Sequence, residues 1–237
     1  GVVMLPGYVR YLGAESFGLV GFVGVLQVWF QLFDLGLSQT LTREAARYKG
    51  GSLGAREFNV LFRTMEAVFA ALAVVGGVAL FLSAPWLAAH WLKLQMLQVS
   101  DVGACIQMMA LISAIRLFTG PYRSILMGFE HQVWVNGFGV IVGTIRGVAV
   151  IALLVFVNKS AFAYFSYQLV VGCAECAILV WRARTSLPPC IPRERVFPDF
   201  SCLRKNGAFA FTIAFTSSAW LVVSYSDRLI MSKVLPL

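Results

Sequence analysis

The chain has 237 residues, 59% of them hydrophobic and 13% charged, with a mean hydropathy of +0.79. A soluble domain carries roughly a quarter charged residues, so the charge here is too sparse to clothe a surface facing water, and a bilayer is the solvent that fits. The net charge of +8 would raise nucleic acid as a partner for a soluble protein. Here most basic residues gather in connectors between apolar stretches, the pattern of a topology signal, and no soluble basic domain exists to carry nucleic-acid binding.

In chain order, residues 2–9 are apolar but too short to span, and no basic n-region precedes them. They read as the outer end of a truncated first span, which makes the chain a piece of a longer protein. Further helices are expected at residues 17–42, 59–82, 102–127, 134–157 and 161–181, with a last one starting near 207 and fading after 230. Each has about the 20 residues that a bilayer core requires. The expected fold is an all-α integral membrane protein, a polytopic bundle of about six full transmembrane helices plus the truncated first one.

The connectors alternate in charge. Residues 43–63 carry Arg43, Arg47, Lys49, Arg56 and Arg63, and residues 182–205 carry Arg182, Arg184, Arg193, Arg195, Arg204 and Lys205. The opposite side carries Arg10, Lys93 and Lys159. The positive-inside rule places the rich connectors, and with them the Glu130-His131-Gln132 turn, in the cytoplasm. Pro188, Pro189, Pro192 and Pro198 make residues 183–206 a stiff, basic linker between a bundle at 1–182 and the first helix of a second bundle at 207–237. Phe197, Phe200 and Leu203 recur at helical spacing, which fits either an amphipathic segment on the inner leaflet or a solvated linker. Val2 to Arg10 and Val222 to Arg228 both close an apolar run with a polar, basic cluster, as an internal repeat would.

Three arginines, Arg116, Arg123 and Arg146, interrupt the fourth and fifth spans. Each costs on the order of 2.5–3.5 kcal/mol at a helix centre unless it faces protein or a watery cavity. Arg116 and Arg123 are two helical turns apart and share a face with Thr119 and Gly120. Pro121 is expected to kink this helix and free carbonyls toward a cavity. Gly137, Gly139, Gly143 and Gly147 permit close packing or leave room for a ligand. The acidic candidates are Glu66, placed to pair with Arg123, and Glu175, placed to face Arg146 or water. Asp34, near the end of the second span, either caps local backbone or holds a coupling cation. Two readings stay open: the charges neutralise one another and fix helix register, or the excess of arginine binds an anionic substrate, which suits phosphate because the planar guanidinium donates paired hydrogen bonds.

Cys173 and Cys176 have CxxC spacing inside an apolar helix without a redox context. With His90 and His131 far apart, no metal site or cofactor is expected. No nucleophile–base pair or phosphate loop stands out, so no enzyme is expected.

The run Tyr11-Leu-Gly-Ala-Glu-Ser-Phe-Gly18, an apolar span, and then Asp34-Leu-Gly-Leu-Ser-Gln-Thr-Leu-Thr-Arg-Glu-Ala-Ala46 resemble the start of polysaccharide (O-antigen-type) flippases. These belong to the multidrug/oligosaccharidyl-lipid/polysaccharide exporter superfamily. Tyr122-Arg-Ser-Ile-Leu-Met-Gly-Phe-Glu130 resembles the end of the family's fourth helix, and Ser226-Asp-Arg-Leu-Ile-Met-Ser-Lys233 the end of its seventh. The resemblance implies the N-terminal half, plus helix seven, of a MATE-like exporter with about twelve helices in two related halves. It implies a flippase in the bacterial inner membrane that moves an undecaprenyl-pyrophosphate-linked oligosaccharide by alternating access, in lipopolysaccharide or other surface polysaccharide biosynthesis. Arg116, Arg123 and Arg146 would line the substrate cavity, and other assembly proteins and membrane lipids would be partners. The alternatives are a cation-coupled multidrug exporter of the same superfamily, whose cationic substrates would favour acidic over basic residues, or a membrane polysaccharide polymerase or ligase, which would need a larger outer loop than residues 83–101 provide.

Overall fold

A computed structural model of the chain describes residues 30, 33–34, 36–90, 99–156 and 161–187, together with residues 212, 215 and 216. The described residues form α1 (Leu37–Lys49), α2 (Ala55–His90), α3 (Val99–Gly128), α4 (Gln132–Phe156) and α5 (Ala161–Ser186), with no strand among them. Four of these helices, all but α1, are long and apolar enough to cross a membrane. The first predicted span, nearly all of the second before Phe30, most of the seventh, and the linker from residue 188 lie outside the described residues. So does the comparison between the two chain ends.

The central helix is α3. It packs most extensively on α2, then on α5 and α1, and only lightly on α4, which leans on α5 instead. Half of its apolar window is buried (50%), against 22% for α2, 17% for α4 and 22% for α5. The outer helices therefore turn apolar side chains such as Val75, Leu82, Ile141 and Val170 outward, as a lipid-facing surface requires. Gly128 lets α3 touch α1: a Cβ there would fall 2.5 Å from both the Ala45 Cβ and the Thr42 carbonyl oxygen.

One end of the bundle is tied by an aromatic cluster. Tyr48 stacks on Phe58 at 5.0 Å between ring centroids, and both rings contact Phe129. Lys49 donates to the Glu130 carboxylate at 2.6 Å and to the Phe129 carbonyl at 3.1 Å. This ammonium holds the exposed Glu130 carboxyl below its ordinary range. Ala183 and Leu187 of the α5 end join the same cluster. The α1–α2 turn, the α3–α4 turn and the end of α5 thus share one end of the molecule, the three connections that the charge pattern assigns to a single side.

Several element ends differ from expectation. The second span does not run unbroken to residue 42: Phe33 and Asp34 form a turn, Gly36 takes φ 72, and a new helix starts at Leu37. The left-handed glycine stands just before the new helix, and the Asp34 carboxylate accepts the Ser38 backbone N–H at 2.9 Å in its first turn. The helix expected to end at residue 82 continues to His90 through Pro85. Proline removes one backbone donor, but a membrane helix packed on its neighbours absorbs that loss. The outer loop expected from residue 83 is shortened accordingly. The basic stretch 43–63 is mostly helix: only residues 50–54 form the connector, so Arg43 and Arg47 belong to α1 and Arg56 and Arg63 to α2. The sixth predicted span extends past residue 181 to Ser186, which places Arg182 and Arg184 on α5.

Candidate functional site

The light contact between α3 and α4 leaves a cleft, closed behind by α5. Its cavity of about 590 Å³ is lined by Arg116, Thr119, Gly120 and Arg123 from α3, by Asn136, Gly139, Gly143 and Arg146 from α4, and by Glu175 from α5. All three arginines singled out from the sequence therefore meet in one hollow. On α3 the reason is periodicity, since positions 116, 119, 120 and 123 recur on one helical face. On α4 it is the absence of side chains. A Cβ at Gly143 would meet nothing within 4 Å, and one at Gly139 would meet only the Arg123 guanidinium, at 3.4 Å. These glycines provide ligand room at the cleft, not tight helix packing.

The charges are unequally compensated. Arg146 donates to Glu175 at 2.6 Å, with side-chain exposures of 11% and 20%. Its Nε–H is buried without a partner among the described residues. Neither Arg116 nor Arg123 forms an ion pair among the described residues. Glu66, which the sequence placed to pair with Arg123, is turned away from it. It accepts from Arg63 at 2.8 Å, from the Tyr122 hydroxyl, and lies 3.6 Å from Arg184. The reason is rotational. Tyr122 and Arg123 are adjacent on α3 and point to different faces, and Glu66 lies on the Tyr122 side. The hollow thus holds three guanidiniums and one carboxylate, leaving net positive charge, with Thr119 and Asn136 as further polar groups.

Asp34 lies beside this cavity in a smaller one of about 210 Å³, with Phe30, Ser38, Phe69, Ser113, Arg116, Leu117 and Gly120. Asn136 and Ser113 carry no sequence signal of their own. Ser113 could have been found only from its place on the stripe 113, 116, 117, 120 that α3 turns to one side. Cys173 and Cys176 are free thiols on α5.

A sequence model of the polysaccharide biosynthesis protein family matches residues 1–236. The chain belongs to that family. No curated protein and no solved structure matches it. A family member of this kind with several apolar spanning helices is a multi-pass membrane protein of polysaccharide synthesis. In this polysaccharide biosynthesis protein the cleft carries an excess of positive charge among the described residues.

Proposed function

We propose that the protein is a flippase that moves a polyprenyl-pyrophosphate-linked oligosaccharide across the bacterial inner membrane, from the cytoplasmic to the outer leaflet, by alternating access through the cationic cleft. The observation that carries this reading is Arg116 and Arg123, which form no ion pair among the described residues, facing Arg146 across a hollow whose α4 wall includes Gly139 and Gly143. A pyrophosphate cannot cross roughly 30 Å of hydrocarbon unaided. Three planar guanidiniums offer it paired hydrogen bonds, while the polyprenyl tail stays in lipid. The step is binding and release, with no covalent bond made or broken, so the protein acts as a transporter, not as an enzyme. A cation exporter would be served poorly by a hollow with this excess of positive charge.

Removing Arg116 or Arg123 orphans no carboxylate among the described residues, so their loss should spare folding and strike transport. Arg116→Ala and Arg123→Ala in the intact protein should each abolish or strongly reduce surface polysaccharide at unchanged membrane abundance, read by immunoblot of both. Normal polysaccharide from both variants would sink the cavity's role.

A further inference from the structure

The smaller hollow beside the cleft differs from it in chemistry. Phe30 and Phe69 supply aromatic carbon, Asp34 a carboxylate, Ser38 and Ser113 hydroxyls, and Arg116 a guanidinium common to both cavities. Ser113 is 1% exposed, and its Oγ has no hydrogen-bond partner among the described residues. A buried hydroxyl left unmet is uncommon in a native protein and asks for a missing occupant. Asp34 accepts the Ser38 N–H through one oxygen, and a carboxylate has about four acceptor sites, so acceptor capacity remains.

What occupant fits follows by elimination. A simple anion is disfavoured by the Asp34 carboxylate, and a metal cation by the Arg116 guanidinium. An apolar group would leave Asp34 and Ser113 unmet. A neutral polyhydroxyl group satisfies all of them: its hydroxyls bond the carboxylate and the serines, and its C–H surface lies against the phenyl rings. A volume of about 210 Å³ has room for several waters, and so for one sugar ring.

We propose that the hollow framed by Phe30, Asp34, Ser38, Phe69, Ser113 and Arg116 is a sugar subsite that takes the first sugar of the lipid-linked oligosaccharide. This rests on the flippase reading and deepens it. In such a substrate the first sugar is bonded directly to the pyrophosphate. Arg116 and Gly120, which line both hollows, stand where that junction would lie. Gly120 sits tightly at this shared wall: a Cβ there would lie 3.1 Å from the Phe69 ring and 3.3 Å from the Ser38 hydroxyl. The cleft then selects for the phosphates and the hollow for the glycan.

The test compares two ligands on the purified intact protein in lipid nanodiscs: undecaprenyl pyrophosphate without sugar, and the lipid-linked oligosaccharide extracted from the source membranes. Ser113→Ala removes only an unmet hydroxyl and should fold normally. Asp34→Asn tests the carboxylate. Both should weaken glycolipid binding about tenfold while leaving the affinity for undecaprenyl pyrophosphate within about twofold. Arg116→Ala should weaken both ligands. Equal weakening of both ligands by Ser113→Ala and Asp34→Asn, or no effect of either, overturns the sugar subsite and leaves the cationic cleft standing. Sodium-dependent binding of both lipids that disappears in Asp34→Asn also overturns it, in favour of a cation site. A wild-type protein that binds neither lipid overturns the flippase reading itself.

Discussion

At the scale of single residues, the arginines of the cleft fall into two kinds. Arg146 is committed to Glu175, with both side chains mostly buried, whereas Arg116 and Arg123 form no ion pair among the described residues. Breaking a shielded ion pair from one side strands the other charge, which costs up to about 3–5 kcal/mol when the pair is buried. Arg146→Ala should therefore lower membrane abundance as well as transport. The double variant Arg146→Ala/Glu175→Gln should recover abundance but not polysaccharide export. If the double variant restored export, Arg146 would be a structural partner of Glu175 and nothing more. The arginines could be found in the sequence because a guanidinium inside an apolar run stands out against its neighbours. Their partners could not be assigned in the same way. Whether Glu66 meets Arg123 or Tyr122 depends on one hundred degrees of rotation about α3, roughly one residue step. Ser113 was silent for a related reason, since a serine in an apolar helix is ordinary until its environment shows that its hydroxyl is unmet.

At the scale of helices, the middles of the four described spans were readable and their ends were not. A run of about 20 apolar residues specifies a span wherever it lies. The ends depend on contacts that the run does not encode, such as the neighbours that let α2 continue through Pro85 and the aromatic cluster that holds α5 to Ser186. The break at Gly36 is the clearest case. The Asp34-Leu-Gly36 sequence contains both devices needed, a carboxylate to meet a free N–H and a residue able to take φ 72, yet the surrounding hydropathy alone favours a continuous helix. Close approach of helices is similarly hidden. Gly128 sits where α1 crosses α3, with no space for a methyl group. Gly128→Ala should cost about 1–3 kcal/mol through overpacking, visible as a lowered thermal midpoint of the detergent-solubilised protein. Gly143→Ala, which meets open space, should leave that midpoint unchanged. Similar midpoints for the two variants would contradict the α1–α3 contact.

At the scale of the whole molecule, the surface is arranged inside out relative to a soluble protein. Apolar side chains face outward on α2, α4 and α5, while the uncompensated charge faces inward. Water and lipid should therefore meet opposite sides of α4. In a background without the native cysteines, Gly143→Cys should react with a membrane-impermeant thiol reagent. Ile141→Cys, on the outward side at 59% exposure, should resist the reagent in membranes and react after solubilisation. The reverse pattern would mean that the cleft is dry.

Because α2, α5 and α1 all pack on α3, while α4 packs only modestly on α5 and lightly on α3, α4 is the loose leaf of the bundle. The other helices form one bound block, and the short turn at residues 129–131 is the hinge between that block and α4. Swinging the leaf disturbs few packed side chains. It would change the separation between the guanidiniums on α3 and the one on α4 while the block stays folded, within the reach of the Arg146–Glu175 bond.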